Sequence, residues 1–211
     1  MDRTIQNAES WARSFFSDDA TGHDWFHTHR VRNTALMIGE KERADLYVIE
    51  LVALLHDVAD DKFYKQENQG LNEVASWLKS HGVEEWQKLI DMISSIGFSS
   101  GKTPDTLEGK IVQDADRLEA LGAIGIARTF MYAGAHGDAM YNPDIPVREN
   151  MTKSEYRKGQ STAINHFYEK LLKLKEKMNT KTGRLLAEER DEYMKGFLDQ
   201  FHREWDSKIG S

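Results

Sequence analysis

The sequence predicts an all-α protein. Three observations carry that expectation. Apolar residues recur with a helical period along nearly the whole chain, strand-like alternation is hard to find, and only 3 of the 211 residues are proline. A first helix is expected from Ile5 to Phe16, followed by the polar break SDDATG. A second runs from Asp24 to Lys41 and a third from Asp45 to Val58, where Leu51 to Leu55 are five consecutive apolar residues. DDKFYKQENQG reads as a break or a short helix. Further helices are expected over Leu71–His81, where Gly82 supplies a stop, over Glu84–Ile96, and over Leu107–Tyr132 as one unbroken element. GAHGDAMYNPDIPVREN (134–150) is the long loop of the chain, of a length that is often functional. Ser154 to Met178 reads as a long helix, NTKTGR as a turn, and Leu185 to Trp205 as the last helix.

Length and composition suit one domain over 1–211, with a core over about 20–135 and a C-terminal helical extension over about 150–208. The charged C-terminal helices are expected to pack on the core or on a partner chain, which leaves room for a homodimer. Charge is mildly acidic, with 28 Lys and Arg against 35 Asp and Glu for a formal charge of −7. No nucleic-acid or anionic-membrane partner is therefore expected, since both need clustered positive charge. The absence of cysteine excludes disulfides, thiolate zinc sites, iron–sulfur clusters and a cysteine nucleophile. The start MDRTIQNAESW carries no secretory signal, and runs such as LVALL are too short to span a bilayer, so a cytoplasmic location is the expectation.

Histidines and carboxylates stand in three unusual places. In GHDWFHTHRVRNTALMI, His27 shares a helical face with Val31, Ala35 and Ile38, whereas His29 points roughly 200° away. His27 is therefore the inward one, although a lone inward histidine is more often a satisfied core residue. His56-Asp57 closes the apolar run YVIELVALLHD. A buried His followed by a buried Asp is costly unless the two are paired or bind a metal. In GKIVQDADRLEALGAIGIAR, Asp114 and Asp116 flank an apolar stripe on opposite sides, and geometry alone does not choose between them. Two imidazoles and two carboxylates would suit one divalent Mn, Fe, Co, Ni or Zn, with Mg also admissible.

GHDWFHTHRVRNTA, LLHDVADDKF and DADRLEALGAIGIARTF, in this order and on separate helices, resemble the HD-domain superfamily of all-α metal phosphohydrolases, and its bacterial HD hydrolase subgroup in particular. The resemblance implies an HD-domain helical bundle with additional C-terminal helices. It also implies a ligand set of His27, His56, Asp57 and Asp116, because the family's ligand aspartate directly precedes the R-L of the third block. Related stringent-nucleotide hydrolases read H-D-x-x-E-D where this chain has His56-Asp57-Val58-Ala59-Asp60-Asp61, so the carboxylate role carries to Asp60 with a shorter arm. The implied activity is hydrolysis of a nucleotide phosphate or pyrophosphate bond by a metal-activated water, with Asp60 to orient or deprotonate that water and Lys62, Arg117 and His23 to meet phosphate oxygens. Each of these four also has an ordinary surface or capping role open to it. The other reading is a nucleotide-sensing module that keeps the fold without turnover. Dinuclear relatives place extra histidines between the second and third blocks. Here only His81 lies there, which favours one metal over a di-iron oxygenase.

Overall fold

The computed structural model describes residues 2–17, 24–97, 101–148 and 159–207. The chain divides into two compact units, Met1–Asp116 and Arg117–Ser211. Helices dominate both, and no strand occurs among the described residues.

In the first unit, α1 (Arg3–Phe15), α2 (Trp25–Glu42) and α3 (Leu46–Leu55) pack on one another. Each begins at an aspartate whose side chain accepts from backbone N–H groups of the first turn: Asp2 from Thr4, Asp24 from His27, and Asp45 from Tyr47 and Val48. α3 is apolar all round because it is central, with Leu51 to Leu55 fully buried among its neighbours. α2 comes very close to it at Gly39, where a Cβ would stand 2.5 Å from Cδ1 of Ile49. A 3-10 turn at Asp61–Phe63 leads to α4 (Gln69–Ser80) and α5 (Trp86–Ile96), which pack together. α6 (Leu107–Leu118) carries the last residues of this unit, and Gln113 pins it by donating to the carbonyls of Ser95, Ile96 and Lys102.

The second unit contains α7 (Gly122–His136), α8 (Ala163–Glu169), 3-10 turns at Leu171–Lys173 and Lys175–Lys177, and α9 (Lys181–Trp205). Phe130, Phe167 and Phe197 meet at its centre, with ring centroids 6.0–6.2 Å apart. The buried Glu169 carboxylate accepts from the backbone and guanidinium of Arg148 and from Ser161 Oγ. No described helix is long and apolar enough to cross a membrane.

Three sequence expectations need correction. The single helix over Leu107–Tyr132 is two helices. Residues 119–121 break it, Gly122 takes φ +71°, and the Leu118 carbonyl at the break accepts from Leu121 N–H and from the Arg190 guanidinium. Gly125 permits the tight reversal, since a Cβ there would stand 2.4 Å from the Ala120 carbonyl. The long helix over Ser154–Met178 is, from 159 onward, α8 and two 3-10 turns; its 154–158 portion lies outside the described residues. Leu171 and Leu174, both buried, are three apart, the spacing a 3-10 turn aligns. NTKTGR is mostly helix, because Thr180 Oγ1 accepts from Gly183 N and α9 starts at Lys181.

Candidate metal centre

α2 delivers His27 from its first turn. Asp24 Oδ1 accepts from the His27 backbone N–H at 2.8 Å, and the ring lies on the face shared with Val31, Ala35 and Ile38, all fully buried. α3 ends at Leu55, so His56 and Asp57 occupy the turn after it rather than the helix itself. That turn is held by Ala59 N–H donating to the Leu55 carbonyl and Asp60 N–H to the Asp57 carbonyl.

The Asp57 carboxylate spans two imidazoles. Its Oδ2 is 3.2 Å from His27 Nε2 and its Oδ1 3.5 Å from His56 Nε2. Donor atoms of His27, His56 and Asp57 all lie within 4.8 Å of one another, and each residue is buried. Asp116, on α6, brings Oδ1 to 3.5 Å from His27 Nε2. Burial would raise the Asp116 carboxyl pKa, but the hydrogen bond with His27 and the nearby His56 and His27 imidazoles outweigh it, against opposition from Asp57, and the pKa falls below its ordinary value.

These residues fit a divalent ion by their own chemistry. His56 Nδ1 is 2.8 Å from the Ala53 carbonyl oxygen, which can only accept, so Nδ1 carries the proton and Nε2 the lone pair. His56 Nε2 is buried and makes no hydrogen bond. Metal–ligand bonds of about 2.1 Å put neighbouring donors about 3 Å apart and opposite donors about 4 Å apart, the scale of the separations seen here.

The other candidate residues are placed differently. Asp60 Oδ1 accepts from Lys62 N–H at 3.0 Å, and its Oδ2 lies 3.3 Å from Lys62 Nζ, so Asp60 caps the 3-10 turn and pairs with Lys62. Lys62 Nζ also sits 4.7 Å from the Phe63 ring centroid. Arg117 donates to the Lys177 carbonyl. His23 lies outside the described residues. His29 stands apart from the cluster, beside Asn33 and the Trp25 ring. Asp114 is fully buried.

One group escaped the sequence reading. Arg32 on α2 donates to Glu50 of α3 and to Glu9 of α1, at 2.8 Å and 3.0 Å, and so locks together the helices that present His27 and His56. The only signal for it was a charged residue next to Val31 on the inward stripe.

Comparison with known proteins gives a consistent picture. The HD domain family matches residues 25–121. The protein YpgQ of Bacillus subtilis (strain 168) is 40% identical over 208 residues, covering 96% of this chain and 94% of its own. The crystal structure of YpgQ in complex with ADP matches with TM-score 0.76 over 95% of this chain and 97% of that one, at 39% identity. A Lactobacillus plantarum protein matches with TM-score 0.84 and 37% identity over 99% of both chains. An HD-superfamily hydrolase from Bacillus thuringiensis matches with TM-score 0.79 and 42% identity over 97% of both.

Proposed function

Because this chain belongs to the HD domain family, we propose that it is a metal-dependent phosphohydrolase that cleaves a phosphate or pyrophosphate bond of a nucleotide with an activated water. The observation that carries the reading is the His56 ring, whose Nδ1 is committed to the Ala53 carbonyl and whose buried Nε2 is presented beside Asp57. His27, His56, Asp57 and Asp116 would hold one divalent ion. Such an ion supplies a lowered pKa for a water and polarisation of a phosphoryl oxygen. The nucleotide rests on the relative YpgQ, which was crystallised with ADP.

The chain's own groups have separable tasks in this reading. The Asp57 carboxylate keeps the two imidazoles at a fixed separation, and the Ala53 carbonyl keeps His56 in one tautomer. Asp60 is the proposed base for the attacking water, and Lys62, Arg117 and His23 the proposed contacts to phosphate oxygens. Lys62 already engages both oxygens of Asp60, which favours capping as a second role for that carboxylate.

The test is release of phosphate or pyrophosphate across a panel of nucleoside mono-, di- and triphosphates, with and without added Mn²⁺. Metal-dependent release from at least one nucleotide is expected. Nucleotide binding with no release from any of them would replace hydrolysis with a sensing role.

A further inference from the structure

α3 stops at Leu55; His56, its C-cap, keeps helical φ and ψ and donates its N–H to the Val52 carbonyl, but the turn that carries Asp57 has no continuing helix to fix its direction. Beyond its own two backbone bonds, the turn is braced by a second layer of contacts. The Tyr64 hydroxyl donates to the Val58 carbonyl at 2.9 Å. Glu73 Oε2 stands 3.4 Å from the same hydroxyl, and Gln69 Nε2 donates to Glu73 Oε1 at 3.1 Å. A hydroxyl has one proton, so the shorter bond to Val58 takes most of it and Glu73 orients the group. The Tyr64 ring packs beside Phe15, with centroids 6.0 Å apart. Burial first, and then Glu73, push the Tyr64 pKa up to about 12, so the hydroxyl keeps its proton throughout the neutral range.

Gly70 supplies the other half of the brace. A Cβ at this position would stand 2.6 Å from the Ala59 carbonyl oxygen and 2.6 Å from Cε2 of Tyr64. The first turn of α4 therefore rests directly on the Ala59 carbonyl, and only a residue without a side chain allows it.

We propose that Tyr64, with Gly70, is a positioning residue for the metal centre: by holding the Val58 and Ala59 carbonyls, the pair fixes the turn that aims His56 and Asp57. The proposal rests on the metal reading above and adds to it residues that touch neither ion nor substrate. Partners that orient metal ligands from outside typically change metal affinity 10–100-fold when lost.

The experiment is calorimetric titration of Mn²⁺ into metal-stripped wild type, Tyr64→Phe, Gly70→Ala and, as a control, Tyr193→Phe at an exposed position. Metal-free melting curves are recorded on the same preparations. Tyr64→Phe keeps the packed ring and loses only the donor. It should bind Mn²⁺ about 10–100-fold more weakly, while its metal-free melting temperature falls by only about 2–4 °C. Gly70→Ala should weaken binding in the same direction, and Tyr193→Phe should match wild type. A purely structural role for Tyr64 would lower the melting temperature and leave Mn²⁺ affinity at the wild-type value, and that result overturns the proposal. Wild type that binds no Mn²⁺ overturns the metal reading itself, and the proposal with it.

Discussion

His56 Nδ1 lies 2.8 Å from the carbonyl oxygen of Ala53, one turn earlier in the chain. The bond assigns the proton without any hydrogen being located, because a carbonyl can only accept. It turns a buried histidine into a ring with its free nitrogen aimed at Asp57, 3.5 Å away. An ordinary core histidine would satisfy both nitrogens.

Removing any one proposed ligand should therefore remove the metal. Purified His27→Ala, His56→Ala, Asp57→Ala and Asp116→Ala are expected to hold far less than one equivalent of divalent metal by elemental analysis. His29→Ala should remain near wild type, since His29 sits beside Asn33 and Trp25. Loss of metal in His29→Ala with retention in His27→Ala would reverse the assignment.

Asp60→Asn separates chemistry from capping. Asn keeps an acceptor for the Lys62 backbone N–H but has neither the charge nor the basicity of the carboxylate. Metal content should be unchanged. If Asp60 is the base, turnover should fall by about 10²–10⁴; a wild-type rate with normal metal would assign it to the cap alone.

Acid should weaken the fold before the carboxylates titrate. Burial, chiefly, and then the nearby Lys170 lower the His166 pKa to about 4, with Glu169 opposing and Arg148 adding to the shift. A histidine depressed in the folded state takes up its proton more readily when unfolded. Stability is then fully present above pH 6.5, declines as pH falls from 6.5 towards 4, and levels off below that for this group. The expected loss is about 3 kcal/mol in all. Denaturant unfolding at pH 7 and pH 5 should show about half of it, and His166→Gln should flatten the slope between those points.

Gly125→Ala should destabilise the second unit by about 1–3 kcal/mol, because the new methyl would press on the Ala120 carbonyl in the break between α6 and α7. Chemical denaturation of the variant beside wild type measures this, and equal midpoints would mean that the reversal has slack.

The sequence carried much of this arrangement where periodicity could speak. Val31, Ala35 and Ile38 pointed to the buried face of α2, and His27 is on it. The apolar run before His56-Asp57 announced a central helix. Periodicity failed where tertiary contacts end a helix. Residues 107–132 keep apolar spacing throughout, and the break depends on Gly122 and on Arg190, a residue far along the chain. Asp114 and Asp116 could not be separated by helical geometry, and it took the resemblance to choose Asp116, the one found 3.5 Å from His27. The apolar run reads as a helix to Val58, whereas α3 stops at Leu55 and Asp60 caps the 3-10 turn beyond it. The brace from Tyr64 to Val58 left no trace in the pattern, because a side chain bonding to a main-chain carbonyl leaves no periodic signature.

Metal content and nucleotide hydrolysis, measured on one preparation before and after chelation and after reloading with Mn²⁺, decide whether His27, His56, Asp57 and Asp116 hold a catalytic metal. About one equivalent of metal per chain is expected. Release of phosphate or pyrophosphate should disappear on chelation, return on reloading and never appear in Asp57→Ala. Hydrolysis that survives complete removal of the metal, or that persists undiminished in Asp57→Ala, would contradict that role.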